Sequence, residues 1–430
     1  MSDLTPDAQK IGKEGHPRLI RGMHDLLPED YHGHQSVIDR ALQQANLAGF
    51  RRMDTPIMEE SRLFDRGLGA SSDIVGKEMY SFTTRGGEEV SLRPEGTASV
   101  ARAFFSHGLA QSTPLRYFYA GPMFRYERPQ KGRLRQFHQF GAELIGASGY
   151  LADLEILALG QETLRALGVA DKTVLHLNTL GSTTDRAAFR EALLQYFTSH
   201  KAVLSEDSLR RLETNPMRIL DSKAEQDRAL LADAPVIDDY LDEASKTRFQ
   251  QLCHGLDALG IDYVRDHNLV RGLDYYEHTA FEFITDALGA QGTVLGGGCY
   301  DRLFDIVGGK SATGVGFAAG IERLSALITL PEMPKADCVL IPIGTEAEES
   351  VPALAQMLRR GGIATVYGFS GKVKTRMKQA NQEGAPFSVI FGAEEVSRQE
   401  VKVKDMITGE ETTLSVTALV EYLVEKMTMV

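Results

Sequence analysis

The sequence predicts an α+β body interrupted by a helical insertion and followed by a smaller α/β domain. Segments 17–168 and 258–330 carry strand-like stretches broken by Gly clusters (LGGGCYD, IVGG, ATGVGFAAG). Residues 169–257 instead place apolar residues at helical spacing and hold no Gly-rich loop. Beyond the two prolines of LPEMPKAD, in 336–430, short apolar runs alternate with helical stretches, the pattern of a sheet covered by helices. No segment repeats, which excludes a solenoid.

Taken in order, residues 1–16 mix charges, Pro and Gly and read as a flexible lead. RGMHDLLPED follows as a turn, then an amphipathic helix near 31–48. In FRRMDTPIMEE (50–60), Pro56 inside an apolar run marks an edge strand, because proline cannot donate to a sheet ladder. The insertion reads as helices at REALLQYF, DSLRRLE, KAEQDRALL and VIDDYLDEASKTRFQQLCHGL. In the last domain CVLIPIG, IATVY and FSVIFG read as strands of a mostly parallel sheet, and VTALVEYLVEKM as the closing helix.

Composition narrows the class. Of 430 residues, 43% are hydrophobic and 25% charged, so each domain can bury an ordinary core. No window approaches the ~18 apolar residues of a membrane span, and the first twenty residues hold no signal-peptide core. The expected location is the cytoplasm. Cys253, Cys299 and Cys338 are too far apart in sequence for a zinc or disulfide pattern and are expected to be unpaired. The net charge of −12 argues against indiscriminate coating of nucleic acid, yet binding follows local clusters. Arg116, Arg125, Arg128, Lys131, Arg133 and Arg135 stand against one acid, Glu127, which suits polyphosphate held at one place.

That cluster sits in Leu115–Gly146, read as a strand, a basic loop around Glu127–Gly132, and a returning strand. On the return, Phe137, Gln139, Gly141 and Glu143 share one face; Phe140, Ala142 and Leu144 share the other, a core face on which His138 also falls. Gly141, lacking a side chain, leaves room for a ligand. On the outgoing strand Tyr117, Tyr119, Gly121 and Arg125 line up. An arginine beside a carboxamide and a carboxylate is a cradle for a zwitterion next to a phosphate. A salt-bridged hairpin at a sheet edge is the structural alternative. His16, His24, His32 and His34 show no metal-ligand periodicity, and no protein metal ligand is expected.

FRYERPQKGRLRQFHQFGAE closely resembles the second signature motif of class II aminoacyl-tRNA synthetases in its histidyl-tRNA synthetase form. LRPEGTASVARAF (92–104) resembles that family's amino-acid-binding stretch, LVRGLDYYEHTAFEF (269–283) its histidine-specific motif, and GVGFAAGIERL (314–324) its third class motif. The four occur in the family's order, and the resemblance spans essentially the whole chain, including NPMRILDSK in the insertion. It implies a mainly antiparallel catalytic sheet and an activity that joins L-histidine to its tRNA at the expense of ATP with Mg²⁺.

Carried over by position, the resemblance implies that Arg125 and Arg271 meet the α-phosphate. Glu127 and Arg133 meet the nucleotide and its outer phosphates, Phe137 stacks on adenine and Arg323 meets the γ-phosphate. Glu95, Thr97 and Gln139 accept the α-ammonium, and Glu143 and Tyr276 bind the imidazole, with Tyr275 lining the pocket. These roles are physically coherent. The attacking carboxylate is ionised at pH 7 and needs no general base, so catalysis reduces to orientation and fixed positive charge. The alternative for Arg271 is a structural salt bridge to Asp274.

Two positions depart from the family pattern: Cys299 stands where Arg is expected, and Arg302, where Gly is expected, is positioned in sequence to compensate in part for the missing charge. The resemblance further implies a homodimer joined through 50–60, and a C-terminal anticodon-binding domain. In that domain Lys372, Lys374, Arg376 and Lys378 offer either a tRNA phosphate contact or a solvated helix face. A regulatory paralogue without aminoacylation activity is the competing reading; such chains lose the C-terminal domain and the ATP-side arginines, and both are present here.

Overall fold

The first unit opens with α1 (Pro28–Leu47), whose Pro28, Glu29 and Asp30 suit the first turn of a helix. Two short strands follow, β1 (Arg51–Arg52) and β2 (Met58–Glu60), then α2 (Ser61–Gly67), β3 (Tyr80–Thr83), β4 (Glu89–Leu92) and α3 (Thr97–Ser106). The basic hairpin is β5 (Leu115–Phe124) and β6 (Gln136–Ile145), and α4 (Tyr150–Ala166) and β7 (Val174–Thr179) come next. This computed structural model describes residues 17–69, 74–130, 132–308, 311–369 and 373–428. The lead at 1–16, Lys131 and Lys372 lie outside them. The chain divides into two units, Met1–Pro331 and Glu332–Val430.

Helices α5 (Thr183–Ser199), α6 (Glu206–Thr214), α7 (Glu225–Leu231) and α8 (Glu243–Leu259) form the insertion. Each long one has a side-chain cap: Ser182 and Asp185 form a capping box on α5, Ser205 caps α6, and Asp242 caps α8. The chain returns through β8 (Tyr263–Arg265), β9 (Glu277–Ile284), β10 (Thr293–Cys299), α9 (Asp301–Gly308), β11 (Gly314–Gly320) and α10 (Ile321–Ser325).

Among the described residues the main sheet has eight strands in the order β1-β5-β6-β11-β10-β9-β7-β8. It is antiparallel from β5 to β7, with a parallel strand at each edge. Strand β7 falls within 169–257 yet pairs with β9 in this sheet, so the helical part begins at Thr183. A second, three-stranded sheet has the order β2-β4-β3. Pro56 lies between the edge strands β1 and β2 rather than within either.

One face of the main sheet is packed dry. Phe118, Phe140, Ala142 and Leu144 meet Val37, Ala41 and Ala45 of α1 and Ile156 and Leu157 of α4 in a continuous core. The opposite face of β5 and β6 is free to build a site.

In the second unit, β12 (Cys338–Ile343), α11 (Thr345–Arg360), β13 (Thr365–Tyr367), α12 (Val373–Glu383), β14 (Phe387–Gly392), α13 (Ala393–Arg398), β15 (Glu400–Asp405), β16 (Glu411–Ser415) and α14 (Leu419–Thr428) follow in order. The sheet order is β13-β12-β14-β15-β16, parallel across the first three strands and antiparallel across the last three. It is mixed rather than mostly parallel, because EVKVKD turns back as a hairpin with the next strand. Arg376 departs from the expected basic surface: it is buried, pairs with Glu348 and donates to the Pro342 carbonyl. Lys374 and Lys378 remain exposed.

Candidate active site

Strands β5 and β6 pair Tyr119 with Gly141 and Gly121 with Gln139, as their alternation requires. Above them lies a cavity of about 1240 Å³, room for a nucleotide and an amino acid together. Every expected site residue lines it except Glu143, which is fully buried behind the wall.

At one end, guanidinium groups converge. Arg125 donates from Nε to the Pro94 carbonyl at 3.0 Å and stands 5.2 Å from the Phe137 ring centre. Arg133 pairs with Glu127 at 3.1 Å. Arg323 donates to the Thr293 carbonyl and, at 3.4 Å, to that of Gly132. Burial, then repulsion from Arg133 and Arg125, pulls the Arg323 pKa below its ordinary value. Like charges gathered from the basic loop and from α10 mark a place prepared for a polyanion.

Arg271 comes from the segment before β9. Its partner is Glu282 on that strand, whose other oxygen accepts from Thr293 Oγ1 at 2.7 Å. The pairing with Asp274 is therefore replaced; Asp274 instead accepts from Asn215 at 2.7 Å. Burial works most strongly against the Arg271 charge, but Glu282, Tyr276 and Tyr275 together outweigh it and hold the guanidinium pKa above its ordinary value. A Cβ at Gly296 would lie 2.7 Å from the Arg271 guanidinium, so the Gly cluster in β10 makes space for this arginine.

The other end is acidic and phenolic. Glu95 accepts from the amides of Thr97 and Ala98 at 2.7 and 2.8 Å, fixing its carboxylate at the start of α3. Burial raises its pKa. Oε1 of Gln139 is buried without a partner, an acceptor awaiting a donor. Glu143 accepts from Thr97 Oγ1 at 2.7 Å, and its second oxygen has no well-formed hydrogen bond although the Tyr300 and Tyr119 phenols lie beside it. Burial pushes the Glu143 pKa to about 8, against the hydrogen bonds from Tyr300 and Thr97. Tyr275 and Tyr276 complete this end, with Arg271 5.3 Å from the Tyr276 ring centre.

Comparison with known proteins matches this arrangement to one family. The family model for histidyl-tRNA synthetase covers residues 22–324, and that for the anticodon binding domain covers 337–426. A histidine–tRNA ligase of Rhodospirillum rubrum is 51% identical over 94% of this chain and 98% of its own length. This chain belongs to the histidyl-tRNA synthetase family. The ligase of Gluconacetobacter diazotrophicus is 50% identical over 94% of this chain and 97% of its own. The crystal structure of the apo Staphylococcus aureus histidyl-tRNA synthetase superposes with a TM-score of 0.80 at 35% identity, covering 95% of this chain and 100% of that one. The fold is thus that of a class II aminoacyl-tRNA synthetase.

Within this synthetase the sequence reading needs three corrections. The space at Gly141 is taken by the protein itself: a Cβ there would lie 2.4 Å from the Tyr119 ring and hydroxyl. His138 is not a core residue; it is half-buried, and its ring Nδ1 lies 2.9 Å from Glu322. Arg302 does not stand in for the arginine expected at 299, since its contacts are the Asp274 carbonyl and Glu277. Beside the buried Cys299 thiol stands Arg248 of α8, which grips Asp153 with Nε and Nη2 at 3.0 and 2.9 Å. A helix of the insertion thus places a guanidinium beside position 299.

Tyr119, Glu282 and Tyr300 are site residues the sequence reading left without a role. Alternation signals the first two, since Tyr119 shares a face with Arg125 and Glu282 is the one charged residue in the apolar run Ala280–Ile284 at the end of β9. Tyr300 begins a turn and carries no such signal.

Proposed function

We propose that this synthetase activates L-histidine with ATP and transfers it to the 3′-terminal adenosine of its tRNA, using the residues just described. The histidine carboxylate attacks the α-phosphorus; the bond to the β-phosphate oxygen breaks, and pyrophosphate leaves with the electron pair. The adenosine hydroxyl then attacks the carbonyl; the bond to the adenylate oxygen breaks, and AMP leaves with the electron pair and takes up the hydroxyl proton. Arg125 and Arg271 bind the α-phosphate as its charge grows, while Arg133, Glu127 and Arg323 hold the nucleotide and its outer phosphates, and Phe137 stacks on adenine. Preorganised guanidinium groups need no rearrangement at the moment of reaction, which is why position counts for more than proton transfer.

Glu95, Thr97 and Gln139 accept from the substrate ammonium. Glu143 and Tyr276 take the imidazole, Tyr275 closes the pocket, and Thr97 must yield for Glu143 to reach the ring. A protonated Glu143 offers a donor to the acceptor nitrogen of a neutral imidazole. An apolar side chain would leave these groups unpaired, which gives strong discrimination. Magnesium arrives with the triphosphate; since Glu127 and Glu282 are already paired with arginines, the guanidinium groups carry most of the neutralisation.

The convergence of Arg125, Arg133 and Arg323 opposite Arg271, next to unpartnered Gln139, supports this reading. Residues 17–182 with 258–330 serve as catalytic domain, 183–257 as an insertion and 336–430 as the anticodon-reading domain. A homodimer through 50–60 fits the exposed Ile57, Met58 and Phe82 near the edge of the small sheet. Among the described residues no helix is long and apolar enough to cross a membrane, and the cytoplasm, where tRNA is charged, is the site of action. ATP–pyrophosphate exchange with each of the twenty amino acids tests the assignment. Exchange with histidine alone is expected; no exchange at all would favour a regulatory paralogue.

A further inference from the structure

At the nucleotide end, where Glu322 lines the cavity, three side chains from three elements meet: His34 of α1, His138 of β6 and Glu322 of α10. One ligand atom from each lies within 4.8 Å of the others. The Glu322 carboxylate is held in place by the His138 backbone amide, which reaches its two oxygens at 2.8 and 3.0 Å. It faces His138 Nδ1 at 2.9 Å. The His34 and His138 rings stand edge to face, 5.4 Å between centres. We propose that His34, His138 and Glu322 form a site for a divalent transition-metal ion of the zinc class.

Two imidazoles and one carboxylate are a donor set for zinc, cobalt or nickel rather than magnesium, and three protein ligands leave a fourth position for water. Around an ion with bonds of about 2.0–2.1 Å, tetrahedral ligands sit about 3.3 Å apart. The three donors, which lie within 4.8 Å of one another, draw in to that spacing around a bound ion. Orientation of a ligand carboxylate by a backbone amide is the support such sites use. A simple ion pair between β6 and α10 would need only His138; the third ligand, from α1, is what makes a cage. Glu322 precedes Arg323, so an ion here would stiffen the segment that presents an arginine to the nucleotide.

The test is titration of EDTA-stripped full-length protein with Co²⁺, read by visible d–d absorption. The expected result is a spectrum saturating at one equivalent, displaced by Zn²⁺ and resistant to excess Mg²⁺. It should be lost in His34→Ala and in His34→Asn, while both variants keep histidine-dependent exchange in Mg²⁺ alone, showing that they fold. No d–d band, displacement by Mg²⁺, retention of the band in the folded variants, or thiolate charge-transfer bands pointing to the cysteines would overturn the proposal.

Discussion

Replacing Glu143 by Gln isolates the cost of ionising a carboxyl inside the proposed histidine pocket. Glu143 is fully buried, and its pKa stands at about 8 where an unperturbed glutamate has 4.5. The unfolded chain therefore loses this proton near pH 4.5 and the folded one near pH 8, so stability is greatest below 4.5 and falls as pH rises towards 8. At about 1.4 kcal/mol per pKa unit the fall totals about 5 kcal/mol. Gln is isosteric, keeps the Thr97 hydrogen bond and does not titrate. Between pH 5.5 and 7.5 the stability of Glu143→Gln relative to the unsubstituted protein should therefore rise by about 2–3 kcal/mol. Urea unfolding of the first-unit transition at both pH values measures it, and contributions from groups that do not interact with Glu143 cancel in the difference. A difference that stays constant with pH would refute the reasoning. The same acid has a functional signature: kcat/KM for histidine in exchange should fall above about pH 8 in the unsubstituted enzyme, and that step should vanish in the variant.

Arg271→His should reduce single-turnover adenylate formation by about 10²–10³-fold while leaving histidine affinity comparatively intact; normal activation would remove Arg271 from the mechanism. Gly141→Ala puts a methyl group within 2.4 Å of the Tyr119 ring, with an expected stability loss of about 1–3 kcal/mol in urea unfolding and weakened histidine binding by isothermal titration calorimetry. Arg248→Ala leaves Asp153 buried without its guanidinium and should cost about 3–5 kcal/mol, measured by chemical denaturation, whereas Cys299→Ser should be far milder. Cys299 itself, buried and with its pKa well above the usual thiol range, should resist iodoacetamide at pH 8 until the protein is unfolded, as mass spectrometry of the labelled peptides would report.

Where function is organised along one strand, the sequence was legible. Alternation alone separates Phe137, Gln139 and Glu143 from Phe140, Ala142 and Leu144, and β6 keeps that division. Helices of the insertion were legible because their apolar spacing and polar caps are local signals. Partnerships across the chain were not. Glu282 as the mate of Arg271, Arg248 beside Cys299, and Glu322 against His138 each join segments whose proximity only the sheet order determines. Arg376 misled for the same reason: its basic neighbours suggest a surface, while Glu348 and a carbonyl of β12 turn it inward. Gly141 shows the subtler failure. An absent side chain was legible, but not that the space belongs to Tyr119 rather than to substrate.

The most direct test of the account is a crystal structure with a non-hydrolysable histidyl-adenylate analogue. The guanidinium groups of Arg125 and Arg271 should lie at charge-assisted hydrogen-bond distance, about 2.7–2.9 Å, from the group replacing the α-phosphate, with the imidazole between Glu143 and Tyr276. An analogue bound with either arginine turned away, or with its imidazole outside that pocket, would contradict it.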